Sequence, residues 1–272
     1  MIPSQFDYEL AGTVDEAVGL LSQHDDAKLL AGGHSLLPLM RLRFASPALL
    51  IDIGRLSELS YIKEADGSIA IGALTRHHDL AGSDVLRERC AVIAETAEGI
   101  GDPQVRHRGT IGGSVTHSDP ASDLPTVLLA LEAEMVARGP SGERAIAAAD
   151  FFTGFLESAL GDNEILKEIR VPAIGSAGAY VKFNRRAQDW ATVGVAAVRL
   201  NGATNVALTN MGATPLRAAG VEEALAAGAD TAVASAQAAN GTSPPSDTNG
   251  SAEYRAHLAS ILTKRALEAL DG

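Results

Sequence analysis

The apolar residues of the chain change spacing repeatedly, and each change marks an element. Ala17, Leu20 and Leu21 recur at helical intervals. Ahead of them Thr13-Val14-Asp15-Glu16 reads as a capping box, so a short amphipathic helix is predicted to about Gln23. Lys28-Leu29-Leu30-Ala31 is an apolar run that predicts a buried strand ending at Gly32-Gly33, and Leu36 to Arg41 reads as one or two helical turns. Leu49 to Ile53 predicts a second strand, stopped by Gly54, and Ile69 and Ile71 alternate with small residues in a third, ending at Gly72. The spacing predicts a helix over about Val85 to Glu98, stopped by Gly99 and Gly101. Arg106 to Asp123 is rich in Gly, Ser and Asp and shows little periodicity.

Leu124 to Leu131 is again helical, with Ser122 or Asp123 as N-cap and Pro125 in the first turn. Ile165, Ile169 and Val171 fall in a strand that Pro172 ends. The Pro/Gly/Ser stretch from Pro172 to Gly178 is the expected domain boundary, giving residues 1–175 (subdomains about 1–56 and 57–175) and residues 176–272. Beyond it Ala179–Phe183, Thr192–Leu200 and Thr204–Met211 read as three strands, with Asn201-Gly202 a hairpin signal between the last two. Two alanine-rich helices follow, then a proline-bearing linker at Asn240 to Asp247 and a last helix from about Glu253 to Leu270.

Composition narrows the function classes. A length of 272 residues suggests roughly two domains. The formal net charge of −12 argues against a sequence-independent nucleic-acid binder and a polybasic membrane-surface protein, since both need a cationic face. Cys90 is the single cysteine, which excludes an intrachain disulfide framework, a zinc ribbon and any iron–sulfur cluster held by this chain alone. One thiol fits a reducing, cytoplasmic setting. The start, Met1 to Asp7, lacks the pattern of a secretory signal, and no apolar run approaches the ~20 residues of a membrane helix.

Two glycine pairs stand where apolar runs turn: Ala31-Gly32-Gly33-His34-Ser35 and Thr110-Ile111-Gly112-Gly113-Ser114. Such pairs are either tight turns between packed elements or nests whose amides converge on an anion. A chain of this charge could hold a diphosphate with dipoles instead of lysines. Neither a Rossmann fingerprint nor a Walker A loop is present, and Leu37 stands where a nucleophile elbow needs its closing glycine. His77-His78-Asp79 reads as solvated surface histidines and His117-Ser118-Asp119 as a polar turn, so no metal site and no catalytic side chain is assigned. Asp123 could accept hydrogen bonds from sugar or ribityl hydroxyls, or cap its helix; Lys182, alone in mid-strand, either snorkels or meets an anion. Trp190 is an amphipathic aromatic in a loop.

The segments Ala31 to Pro38, Thr110 to Ser114 and Ser122 to Pro125 resemble the FAD-binding medium subunits of the molybdenum hydroxylase (xanthine dehydrogenase) family. The tail, Ser243 to Asp247 with Gly250 to Arg255, looks most like the aerobic carbon monoxide dehydrogenase branch of that family. The resemblance implies an α+β protein: a two-part vanillyl-alcohol-oxidase-type FAD-binding domain, then a small domain of a three-stranded sheet plus helices. It implies that Leu29, Leu30, Ala31, Gly32, Gly33, His34, Ser35 and Leu36 hold the pyrophosphate, and that Thr110, Ile111, Gly112, Gly113 and Ser114 also line the FAD. It places the ribityl- or phosphate-side acid on Asp123, a flavin-side aliphatic on Leu166 and a lysine near the isoalloxazine on Lys182. Ile100 takes a position where relatives carry an aromatic, Ser114 one where many carry asparagine, and Trp190 falls near the flavin edge.

The implied activity is electron relay. A molybdopterin large subunit would oxidise the substrate, and a small subunit with two [2Fe–2S] clusters would pass electrons to this chain's FAD. The FAD would serve an external acceptor, quinone, NAD or dioxygen, within a heterohexamer. That division agrees with the single thiol and with the missing acid–base constellation, because the redox chemistry belongs to the cofactor. Two other readings stay open: a stand-alone FAD-dependent reductase such as an enolpyruvyl-sugar reductase, for which no proton donor is identified, and a cofactor-free assembly subunit, against which the intact glycine pairs count.

Overall fold

The first helix, Val14–Gln23, starts at its capping box: the Thr13 hydroxyl accepts from the Glu16 amide at 3.1 Å. Glu16 reaches one residue beyond the expected partner and accepts from the Gly12 amide at 2.7 Å. A computed structural model describes residues 2–65 and 67–271 of the chain. Strands Asp7–Leu10, Ala27–Leu30 and Leu49–Asp52 form a parallel sheet with Leu49–Asp52 in the middle. Helix Val14–Gln23 covers it through Ala17, Val18 and Leu21, which pack with Leu49 and Ile51. The connection from Ala27–Leu30 to Leu49–Asp52 carries the first glycine pair and helix Leu36–Leu42.

A second sheet has five antiparallel strands, with Ile165–Pro172 at its centre between Ser68–Gly72 and Glu134–Gly139. The hairpin Glu134–Gly139 and Gly142–Ala147 is one the apolar pattern did not signal, because its second strand is largely exposed. Two expectations for the helical layer need correction. The stretch expected as one helix is two, Asp84–Arg89 and Ala91–Glu98, broken at Cys90. There the backbone pairs with Gly175: the Gly175 amide donates to the Arg89 carbonyl at 2.8 Å and the Ala91 amide to the Gly175 carbonyl at 3.0 Å. The stretch before Asp123 holds two helices, Pro103–Arg108, which overlaps the start of the aperiodic run at Arg106, and Ile111–His117. Asp102 caps the first, with Pro103 at its opening position.

The third sheet runs Gly178–Phe183, Val193–Leu200, Ala203–Thr209 and a short fourth strand, Leu216–Arg217, beyond the three expected. Asn201 and Gly202 take φ of 53° and 80°, and Leu200 pairs with Ala203, which makes the two-residue hairpin read from Asn-Gly. Strand Val193–Leu200 is buried on both faces. Val193, Val195 and Ala197 pack with the helix Ala252–Asp271, while Ala196 and Val198 join the core that contains Leu124, Leu128 and Ile169. This two-sided burial accounts for the strand's unbroken apolar run, and its neighbour Gly178–Phe183 reaches Asp123 through Tyr180 and Lys182. Among the described residues no helix is long and apolar enough to cross a membrane.

Candidate functional site: a cleft between the glycine segments and the third sheet

A cleft of about 600 Å³ opens where the first sheet, the helices after Ile100 and the edge strand Gly178–Phe183 meet. That volume lies within the range of cofactor sites. Every residue expected to line a cofactor does line it, except Ile111. Ile111 is fully buried in the core cluster that contains Leu80, Val115 and Leu124, and it is not among the cleft-lining residues.

The two glycine pairs differ physically. Gly33 has φ of 79°, a left-handed conformation that a side chain takes only at a cost. Gly32 lies so close to Arg108 that a Cβ there would overlap its carbonyl oxygen. Among the described residues the amides of Gly32, Gly33, His34 and Ser35 find no acceptor within the chain, so four N–H groups gather at one bend. Unpaired amides in succession favour the nest over the plain turn among the two readings the sequence left open.

The second pair is not a nest. Gly112 and Gly113 sit in the first turn of Ile111–His117, where Thr110 is the N-cap, and neither has positive φ. Each nearby amide already has an acceptor: Ile111 on the Thr75 carbonyl at 3.0 Å, Gly112 on the Ala73 carbonyl at 2.8 Å, Gly113 on the Thr110 hydroxyl at 3.1 Å, and Ser114 on the Thr110 carbonyl at 3.0 Å. Gly112 is glycine because a Cβ would stand 2.6 Å from the Ala73 Cβ and carbonyl oxygen. Here glycine serves close packing, and it leaves bare backbone as part of the cleft wall.

Asp123 opens helix Asp123–Ala130 and does not cap it; no side chain caps from Ser122 either. Its Oδ1 accepts from the Tyr180 hydroxyl at 2.7 Å and its Oδ2 from the Lys182 ammonium at 2.9 Å. Lys182 has therefore met an anion, and the pair is largely buried, with side-chain exposures of 14% and 7%. Burial raises the Asp123 carboxyl above its ordinary value, against the pull of Lys182 and Tyr180. Burial also drives the Tyr180 phenol well up. The Tyr180 and Thr209 hydroxyls lie 3.0 Å apart, and Thr209 donates to Thr126 at 2.8 Å, so the network runs from the cleft into the core. Sequence reasoning missed Tyr180. The alternation Tyr180-Val181-Lys182 would have found it, since residues two apart on a strand share a face.

Other residues of the wall were missed or misjudged. His77, read as a surface histidine, is 4% exposed, and burial with His34 and Arg106 nearby lowers it to about 4. His117 also lines the cleft and is lowered by burial, with Asp119 opposing. Trp190 and Leu156 stand at the rim, Trp190 half exposed. Cys90 is fully buried away from the cleft, its thiol pushed up to about 12. Among the described residues no group of three His, Cys, Asp or Glu side chains could hold a metal.

Free amides at a strand–helix turn, bare glycine backbone in the wall and one buried ion pair have the chemistry that an anionic dinucleotide would require. Residues 4–174 match the family described as the FAD binding domain in molybdopterin dehydrogenase, and residues 178–270 the CO dehydrogenase flavoprotein C-terminal domain. The chain belongs to this family of FAD-binding molybdopterin dehydrogenase subunits; it is an oxidoreductase subunit and its cofactor is FAD. It is 45% identical to the carbon monoxide dehydrogenase medium chain of Hydrogenophaga pseudoflava, over 99% of this chain and 98% of the relative. It is 39% identical to the medium chain of the same name from Afipia carboxidovorans, over 98% and 97% of the two chains. Among solved structures, carbon monoxide dehydrogenase from Hydrogenophaga pseudoflava superposes with a TM-score of 0.95 at 45% identity, covering 99% of this chain and 98% of that one.

Proposed function

We propose that the chain is the FAD-carrying electron-transfer subunit of a carbon monoxide-oxidising molybdenum hydroxylase. It takes electrons from the [2Fe–2S] clusters of a small subunit, next to a molybdopterin large subunit, and passes them to an external acceptor such as a quinone, NAD or dioxygen. The observation that carries this reading is the match along nearly the whole of two carbon monoxide dehydrogenase medium chains. The single buried cysteine supports it, because the clusters then belong on another polypeptide.

When bound, FAD supplies a redox centre that can accept a pair of electrons. The chain's residues do the holding. The amides of Gly32, Gly33, His34 and Ser35 suit the diphosphate, and Gly112 and Gly113, having no side chains, leave bare backbone in the wall that the cofactor can approach. Each Asp123 oxygen keeps acceptor capacity beyond the bond it makes with Tyr180 or Lys182, so the carboxylate can also take a hydroxyl of the ribityl chain. Lys182 brings a positive charge beside Asp123, and Leu166 contributes apolar surface to the same wall. Trp190 and Leu156 limit water at the rim.

The test is to purify the chain from its native source under mild conditions. The expected result is copurification with iron- and molybdenum-bearing chains and bleaching of flavin absorbance when carbon monoxide is added. A flavin that an aldehyde or N-heterocycle reduces, and carbon monoxide does not, would overturn the substrate. A monomeric flavoprotein without iron or molybdenum would overturn the relay.

A further inference from the structure

His77 is a buried polar side chain on the cleft wall that the assignments above leave without a role. Its backbone is anchored, the amide donating to the Gly109 carbonyl at 3.0 Å. The residue is 4% exposed, and among the described residues its buried Nδ1 has no hydrogen-bond partner. The opposite edge of the ring lies against Gly109, where a Cβ would stand 2.7 Å from Cδ2 and 3.0 Å from Nε2. Gly109 in turn lies against Gly32, whose Cβ would fall 3.0 Å from the Gly109 Cα. Imidazole, Gly109 and the bend of free amides are thus successive parts of one wall, and all three line the cleft.

The tautomer follows from what each nitrogen meets. A sealed nitrogen without an acceptor is better left as a lone pair, since an orphaned buried N–H is the rarer and costlier case. Burial keeps the ring uncharged, lowering it to about 4. The proton then resides on Nε2, the edge beside Gly109 and Gly32, as a neutral donor. Among the described residues the cleft is lined by two lysines, Lys28 and Lys182, and no arginine, and Lys182 is matched by Asp123; a neutral side-chain donor beside the free amides therefore has an anionic oxygen as its natural acceptor.

We infer that His77 donates through Nε2–H to the diphosphate of the bound dinucleotide, adding one side-chain donor to the amides of Gly32, Gly33, His34 and Ser35. The inference rests on the cleft being the FAD site. It is tested by fluorescence titration of the flavin-free chain with FAD, ADP and riboflavin, in wild type, His77→Phe, His77→Gln and Gly33→Val. Phenylalanine keeps the ring without the donor, and glutamine keeps an N–H at a similar reach. His77→Phe is expected to weaken FAD and ADP about tenfold or more, the size of one hydrogen bond to a charged acceptor, and to leave riboflavin unchanged. His77→Gln should stay within about threefold of wild type, a loss smaller than that of a full hydrogen bond.

Wild-type FAD and ADP affinity in His77→Phe, with Gly33→Val defective, would overturn the role of His77 and leave the cleft assignment standing. Equal loss of riboflavin in His77→Phe, or a His77→Gln as weak as His77→Phe, would also overturn it, by showing general damage or a packing role. FAD affinity unchanged in Gly33→Val would instead refute the cleft assignment beneath it.

Discussion

Asp123→Asn keeps the shape of the side chain and removes its charge, leaving the Lys182 ammonium without a counter-ion at a site where its side chain is only 14% exposed. Breaking a buried pair by losing one partner costs about 3–5 kcal/mol. Lys182 opens onto the cleft and can draw some water, which puts the expected loss near the lower limit, about 3 kcal/mol. Lys182→Met leaves the carboxylate instead. Burial already favours the protonated form of Asp123, and removing the ammonium strengthens that preference. The folded carboxyl then lies above its unfolded value, so the Lys182→Met penalty grows as pH rises through the folded value and shrinks on acidification. The double variant Asp123→Asn/Lys182→Met removes both charges and should be closer to wild type than the sum of the singles, by about 2 kcal/mol or more. Urea unfolding of the flavin-free chain, followed by far-UV circular dichroism at constant m-value, measures all four proteins. Additive single effects, or an Asp123→Asn loss below about 1 kcal/mol, would refute the description of a coupled pair.

Three further outcomes follow from other parts of the structure. Gly202→Ala, at φ of 80° with no atom within 4 Å of the new Cβ, should cost about 1–2 kcal/mol from backbone strain alone, and an unchanged urea midpoint would contradict that. Lowering pH from 6.5 to about 4 should cost roughly 3 kcal/mol at His77, because the unfolded imidazole takes up a proton that the buried ring refuses; His77→Phe should flatten that limb of the stability–pH profile. Cys90, fully buried and with its thiol pushed up to about 12, should react with a thiol reagent at pH 8 only as fast as the chain unfolds, and rapid labelling of the native protein would contradict its placement.

Much of this architecture is legible where one local signal acts alone. The Thr13 capping box, the Asn201-Gly202 hairpin and the apolar strand at Val193–Leu200 each depend on neighbours in sequence, and each is found where the pattern puts it. What the pattern hid depends on distant partners. The break at Cys90 is set by pairing with Gly175, a residue that periodicity around Val85 to Glu98 cannot register. The helix Pro103–Arg108 goes unread, because its short length and lack of any buried residue leave no apolar stripe to notice, although Asp102-Pro103 is a helix-start signal. The two glycine pairs look alike in sequence and differ in cause, Gly33 needing positive φ and Gly112 needing room for Ala73. Tyr180 is within reach, since it shares a strand face with Lys182, but the bond to Asp123 that gives it meaning, like the packing of His77 on Gly109, comes only with the tertiary structure.

The central claim is that the bend at Gly32–Ser35 holds the diphosphate of FAD. Equilibrium titration of the flavin-free chain with FAD and with FMN, in wild type and Gly33→Val, tests it most directly. The structure predicts that wild type binds FAD far more tightly than FMN. It also predicts that Gly33→Val, which must place a β-branched side chain at φ of 79° and 2.8 Å from Leu37, loses the FAD preference. Equal affinity of wild type and Gly33→Val for FAD would contradict the claim.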